Sequence, residues 1–178
     1  MSSARWWRRY CLRHREKNRS KVILGIDPGS IICGYGVVST ERLNTSYVAS
    51  GKMILSPKSP LQIRLKELYD GLVDIIKEYA PDEVAVEKIF FAKSVKSALT
   101  LGHARGAILV AAASCGLPVY EYSALEVKKA IVGYGRAEKH QVQVMVSNML
   151  NLRFKLSPDS ADALALALCH TNTLRPDR

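Results

Sequence analysis

The chain has 178 residues and a formal net charge of +10, from 26 Lys and Arg against 16 Asp and Glu. That length fits one domain built on a single core, and a 48% hydrophobic content excludes a chain too polar to fold. The longest uncharged stretch, residues 106–120, is too short to span a bilayer and is broken by Pro118.

The charge is uneven. Residues 1–20 hold seven basic side chains and one acid, Glu16, so +6 lies in a short N-terminal arm and +4 in everything that follows. The arm has no apolar run of the kind an export signal needs, and no clean amphipathic stripe of a mitochondrial presequence. An upstream start, a vector-derived extension or a solubilising tail would explain it; so would an arm that tracks nucleic acid. It is expected to be disordered and dispensable. The four cysteines (Cys11, Cys33, Cys115, Cys169) form no CxxC pair and have no ligand spacing to the four histidines. Free thiols in a reducing cytoplasm are expected rather than a zinc site.

After the arm, residues 21–27 (KVILGID) read as a buried strand closed by a Pro-Gly turn. Residues 34–40 and 46–55 follow at hairpin spacing, with Asn44 expected at the turn. A helix is expected over residues 60–79, where Leu61, Leu65, Leu68, Leu72, Ile75, Ile76 and Tyr79 recur at steps of three and four before Pro81. Residues 83–90 (EVAVEKIF) read as a strand, 96–114 as an Ala-rich helix and 118–122 as a short strand. Helices follow near 123–131 and 137–150. The last helix starts at Ser157-Pro158, a good N-cap followed by proline at the first helical position. Three strands and then alternating helix and strand give an α/β class, a mixed five-stranded sheet flanked by helices.

Four acids occupy unusual places. Asp27 ends the first apolar strand, Glu87 sits in the second, and Asp159 and Asp162 lie three apart in the final helix, on one side of it. Asp27 also suits the opening of an Asp-Pro-Gly turn, and Asp159 suits the positive end of a helix. Glu87 and Asp162 are harder to place as ordinary surface acids, since apolar residues surround both. Carboxylates in such settings cost several kcal/mol unless paired or metal-bound. Strand ends and a helix start can converge at one sheet edge, and grouped carboxylates resist ionising together without cations. Mg²⁺ or Mn²⁺ would satisfy them, and a pair of such ions could activate water on a phosphodiester.

GIDPGS, GYGVV, VEKIFFAKS, ALTLGHARG, VKKAIVGYGRAEKHQVQ and DSADALALA occur in this order over about residues 21–170. Together they resemble the RuvC family of bacterial Holliday-junction endonucleases. The resemblance implies an RNase H-like nuclease domain over 21–172, with the arm 1–20 and a tail 173–178 outside it. It implies a homodimer in the cytoplasm, acting in recombination and DNA repair with a RuvAB branch-migration complex. It also implies paired, symmetric nicks in four-way junction DNA, hydrolysed with two Mg²⁺ per site to leave 5′-phosphate and 3′-hydroxyl ends.

The family's catalytic and metal-binding acids fall on Asp27, Glu87, Asp159 and Asp162. Some relatives carry His at the position of Asp159. The family's wedge aromatic falls on Phe90, and its basic residues near the scissile strand on Lys128 and Lys139. Lys93, Arg105 and Arg136, with Lys88, Lys96 and Lys129, are further candidates for backbone contacts; each also fits an ordinary solvated face. Gly102 and Gly106 would permit a close helix approach, either on the sheet or across a dimer.

Three other readings are weighed, one of them a related RNase H-like nuclease acting on another branched or RNA-containing substrate. GIDPGS is also similar to the phosphate loop of actin-like and sugar-kinase ATPases, but no second copy of it occurs. A non-catalytic DNA-binding relative should lack some of the acids, and all four are present.

Overall fold

The structure is a computed structural model that describes residues 20–41, 44–88 and 95–174. The N-terminal arm, Phe90, Phe91, Lys93 and the end of the tail therefore lie outside the described residues.

Strands β1 (Lys21–Asp27), β2 (Ile32–Glu41) and β3 (Asn44–Ile54) form an antiparallel meander. Helix α1 (Leu61–Tyr79) then leads to β4 (Glu83–Glu87), which pairs parallel with β1. Helix α2 (Val95–Ser114) leads to β5 (Val119–Tyr122), parallel to β4. Helices α3 (Ala124–Val132), α4 (Lys139–Met149) and α5 (Pro158–Thr173) complete the chain. The sheet order is β3-β2-β1-β4-β5, the mixed sheet expected from the element order.

Strand alternation divides the core in two. Leu24 and Ile26 of β1, with Val84 and Val86 of β4, pack against α1 and α2. Ile23 and Ala85 face the other way, toward α3, α4 and α5. Asp27 and Glu87 lie at even steps from Ile23 and Ala85, so they project to that second face.

Each helix boundary has a local cause. The buried stripe of α1 is Leu68, Leu72, Ile75 and Ile76, and the helix ends where Ala80 turns to φ 44° ahead of Pro81. Ser123 and Glu126 cap α3 reciprocally. Ser157 accepts a hydrogen bond from the Ser160 amide at 3.2 Å, and Pro158 opens α5. Helix α5 is buried almost all round, with Leu164 and Leu168 excluded from solvent, because it lies between the sheet and the α3–α4 pair.

Glycines make that burial possible. A Cβ on Gly25 would lie 2.0 Å from the Ala163 carbonyl oxygen, and one on Gly34 would lie 2.2 Å from that of Asp159. The axis of α5 thus rests directly on β1 and β2, and its first turn is held against the end of the sheet that carries Asp27.

Two expectations are corrected. Asn44 is the first residue of β3, paired with Glu41, rather than a turn residue. Strand β4 ends at Glu87, not Phe90, and the Lys88 amide still donates to the Tyr122 carbonyl of β5 at 2.8 Å, which ties Glu87 to the end of the sheet. Among the described residues Cys33, Cys115 and Cys169 are free, as expected, and burial pushes the Cys33 and Cys169 thiols up to about 12. No helix among the described residues is long and apolar enough to cross a membrane.

Candidate active site

Strands β1 and β4 are adjacent and parallel, with Ile26 opposite Val86. The next residue on each is an acid facing α5, so Asp27 and Glu87 stand side by side at the C-terminal edge of the sheet. Helix α5 enters above them and adds Asp159 in its first turn and Asp162 one turn later. A cleft of about 190 Å³ opens between α5 and the α3–α4 pair; Asp27, Glu87, Asp162, Lys128, Lys139 and Val142 are among the residues that line it. Asp159 is half-buried and does not line this cleft.

The acids repel one another. Burial first, and then the charges of Asp162 and Glu87, push the Asp27 carboxyl from its ordinary 3.8 up to about 7; Asp159 adds a smaller push and Lys139 opposes it. Glu87 is also raised, by burial and then by Asp162, again against Lys139. Lys139 Nζ lies 2.6 Å from Asp162 Oδ2, and this hydrogen bond raises the lysine further above its ordinary value.

Such a set fits a hard divalent cation: every donor is a carboxylate oxygen, and the mutual repulsion is what a cation would relieve. Among the described residues no three potential ligands yet gather tightly enough to enclose an ion. Asp162 is instead drawn onto Lys139, whose ammonium supplies positive charge beside the acids.

The other sequence-predicted residues divide. Lys128 joins the cleft wall, and Arg136 is exposed on the loop between α3 and α4. Lys88 lies 3.9 Å from Glu126. Arg105 projects from α2 to an ion pair with Glu121 of β5, away from the acids. Phe90 and Lys93 lie outside the described residues. Gly102 and Gly106 do not pack on the sheet, for a Cβ on either would meet nothing within 4 Å.

Sequence reading missed a second polar group at the opposite end of the same elements. His170 of α5 bonds Glu83 of β4 at 2.6 Å through Nε2 and the Tyr122 hydroxyl at 2.6 Å through Nδ1, and Lys21 of β1 bonds Glu83 at 2.5 Å. Burial resists ionisation of Glu83, but the bonds from Lys21 and His170 outweigh it and hold the carboxyl below its ordinary value. These ties join the three elements that carry the four acids. The one available signal was a histidine at the end of an otherwise apolar helix.

An antiparallel meander extended by parallel strands, with acids at the ends of β1 and β4 and on the helix above them, defines an RNase H-like protein. A family model for crossover junction endodeoxyribonuclease RuvC matches residues 23–170. The chain is 51% identical over 152 residues to the RuvC crossover junction endodeoxyribonuclease of Shewanella piezotolerans, covering 85% of this chain and 87% of that protein. It is 52% identical over 151 residues to that of Geotalea uraniireducens, covering 85% and 88%. The structure of T. thermophilus RuvC in complex with a Holliday junction substrate superposes with a TM-score of 0.83 at 36% identity, covering 87% of this chain and 95% of that one. The chain belongs to the RuvC family.

Proposed function

We propose that this protein is a metal-dependent endonuclease that resolves four-way DNA junctions in recombination and repair, with Asp27, Glu87, Asp159 and Asp162 as its metal-holding acids. The observation that carries this reading is the adjacency of Asp27 and Glu87 on parallel strand ends, both carboxyls raised by burial first and then by the charge of Asp162 on the helix above. Repelling carboxylates at an open cleft have a purpose as a cation site and little as a stabilising feature.

In this reading Asp27, Glu87, Asp159 and Asp162 would together hold two Mg²⁺, or Mn²⁺ in substitution. Bound there, such ions would supply Lewis acidity toward the phosphate and an activated water. The chain's own contribution is placement. Burial on the α5 face fixes the carboxylates, and Lys128 and Lys139 on the cleft wall attract the scissile phosphate and offset negative charge as the bond breaks. Phe90, just beyond β4, stacks on an unpaired base, and Lys93, Arg105 and Arg136 remain candidate backbone contacts. Hydrolysis by water leaves 5′-phosphate and 3′-hydroxyl ends.

Two symmetric cuts call for two active sites, hence a homodimer. The outward face of α2 supports this: Val95, Leu99 and Val110 are exposed there, and Gly102 and Gly106 leave open space between them. Cooperation with a RuvAB complex in the cytoplasm is part of the same proposal. The arm 1–20 is read as dispensable, the nuclease domain as 21–172.

The test offers the purified protein a synthetic four-way junction and a linear duplex of the same sequence, with and without Mg²⁺. Paired, symmetric nicks in the junction alone, resealed by ligase without further processing, support the reading. Equal cleavage of the linear duplex, or ends that ligase cannot join, overturns it.

A further inference from the structure

Basic side chains also stand on the side of α5 away from Lys128 and Lys139. Asp27 pairs with Gly34, and Gly34 pairs with Lys52 of β3. Opposed residues on neighbouring strands project to the same face, and the Cβ position of Gly34 faces Asp159. Lys52 therefore lies on the α5 face, in the same cross-strand row as Asp27 and about 10 Å from it at two strand spacings.

The loop from α4 into α5 supplies two more charges. Its exposed run Arg153-Phe154-Lys155 ends two residues before the α5 cap, Ser157. The Phe154 ring packs edge-on against Tyr47 of β3 with centroids 5.6 Å apart, and Tyr47 projects to the α5 face with Lys52. That contact lays the loop along β3. Lys52, Arg153 and Lys155 are all exposed, and among the described residues none forms an ion pair with an acid.

We infer that Lys52, Arg153 and Lys155 form a second phosphate-contact surface, which holds a DNA arm on the β3 side of the acids while Lys128 and Lys139 hold the strand on the α4 side. This rests on the nuclease reading above and adds a binding surface to it. Three unpaired cations flanking a negative row match a polyanion that crosses the row. A polyanion held on one flank alone would be repelled by the four acids, whereas charge on both flanks draws it across the cleft.

The experiment measures binding of a four-way junction by the full chain, without divalent metal, across a series of salt concentrations. Wild type is compared with K52Q/R153Q/K155Q and with the charge-keeping K52R/R153K/K155R. Each lost phosphate contact lowers the slope of log affinity against log salt by about 0.9. The Gln variant should therefore lose about 2 to 3 from the slope, with at least about a tenfold loss of affinity near 0.15 M salt. The charge-keeping variant should retain the wild-type slope. An unchanged slope in the Gln variant, or an equal loss in both variants, overturns the surface. Cleavage of the junction by wild type in the same preparation separates that failure from failure of the nuclease reading itself.

Discussion

Lys139 Nζ lies 2.6 Å from Asp162 Oδ2 at the mouth of the acid cleft, and its charge is felt by Asp27 and Glu87 as well. The ammonium holds part of the cluster ionised and stands near where a cation would bind. Removing it in Lys139→Met takes away an influence that lowers both carboxyls, so both rise. The acidic limb of the pH–rate profile for junction cleavage, at a fixed sub-saturating Mg²⁺ concentration, should move to higher pH. An acidic limb that stays in place would show that Lys139 does not tune the acids.

Asp27 has the opposite linkage from a salt-bridged acid. Its folded pKa, about 7, lies above its ordinary 3.8, so between those values the folded state binds a proton that the unfolded chain has released. Metal-free stability therefore falls as pH rises from about 4 to 7. Asp27→Asn removes this penalty: without metal it should melt above wild type at pH 8, by on the order of 5 °C, and the gap should narrow at pH 5. Mg²⁺ should raise the melting temperature of wild type and much less that of the variant.

The seat of α5 on the sheet is intolerant of any side chain at Gly34. In Gly34→Ala the added methyl meets the Asp159 carbonyl oxygen, and either the first turn of α5 or β2 must shift. Unfolding in urea should show a loss of about 1–3 kcal/mol. Cleavage below the melting range should also fall, since the displaced turn carries Asp159 and leads into Asp162.

The far-end ties can be cut separately. His170→Ala leaves Glu83 buried with Lys21 alone and the Tyr122 hydroxyl with Thr173 alone. Denaturant titration should register about 3 kcal/mol of lost stability. Because the Glu83 carboxyl is held below its ordinary value, its contribution is present above that value and disappears as pH falls through the depressed one. The difference between wild type and variant should accordingly shrink in acid.

Much of this architecture was legible in the residues, for identifiable reasons. KVILGID and EVAVE are short, β-branched and apolar, so both strands, and Asp27 at the end of the first, could be read directly. The 3.6-residue stripe of α1 and the Ser157-Pro158 start of α5 were equally plain. Asn44 misled because asparagine favours turns, whereas here it pairs with Glu41. The apolar residues after Glu87 prolonged the strand pattern past the point where β5 pairing stops. The Lys139–Asp162 contact, the seat under Gly34, the Glu83–His170 bond and the place of Lys52 all depend on tertiary register. Local periodicity carries no trace of which distant elements meet.

The most direct measurement is the rate of four-way junction cleavage as Mg²⁺ is titrated, for wild type and for Asp27→Asn, with folding of the variant checked by its melting curve. Cleavage by wild type should rise from none without metal to saturation, and the folded variant should lose at least about 100-fold at every concentration. Cleavage by wild type without any divalent cation, or by the variant at the wild-type rate, would contradict an acid-held metal centre in this cleft.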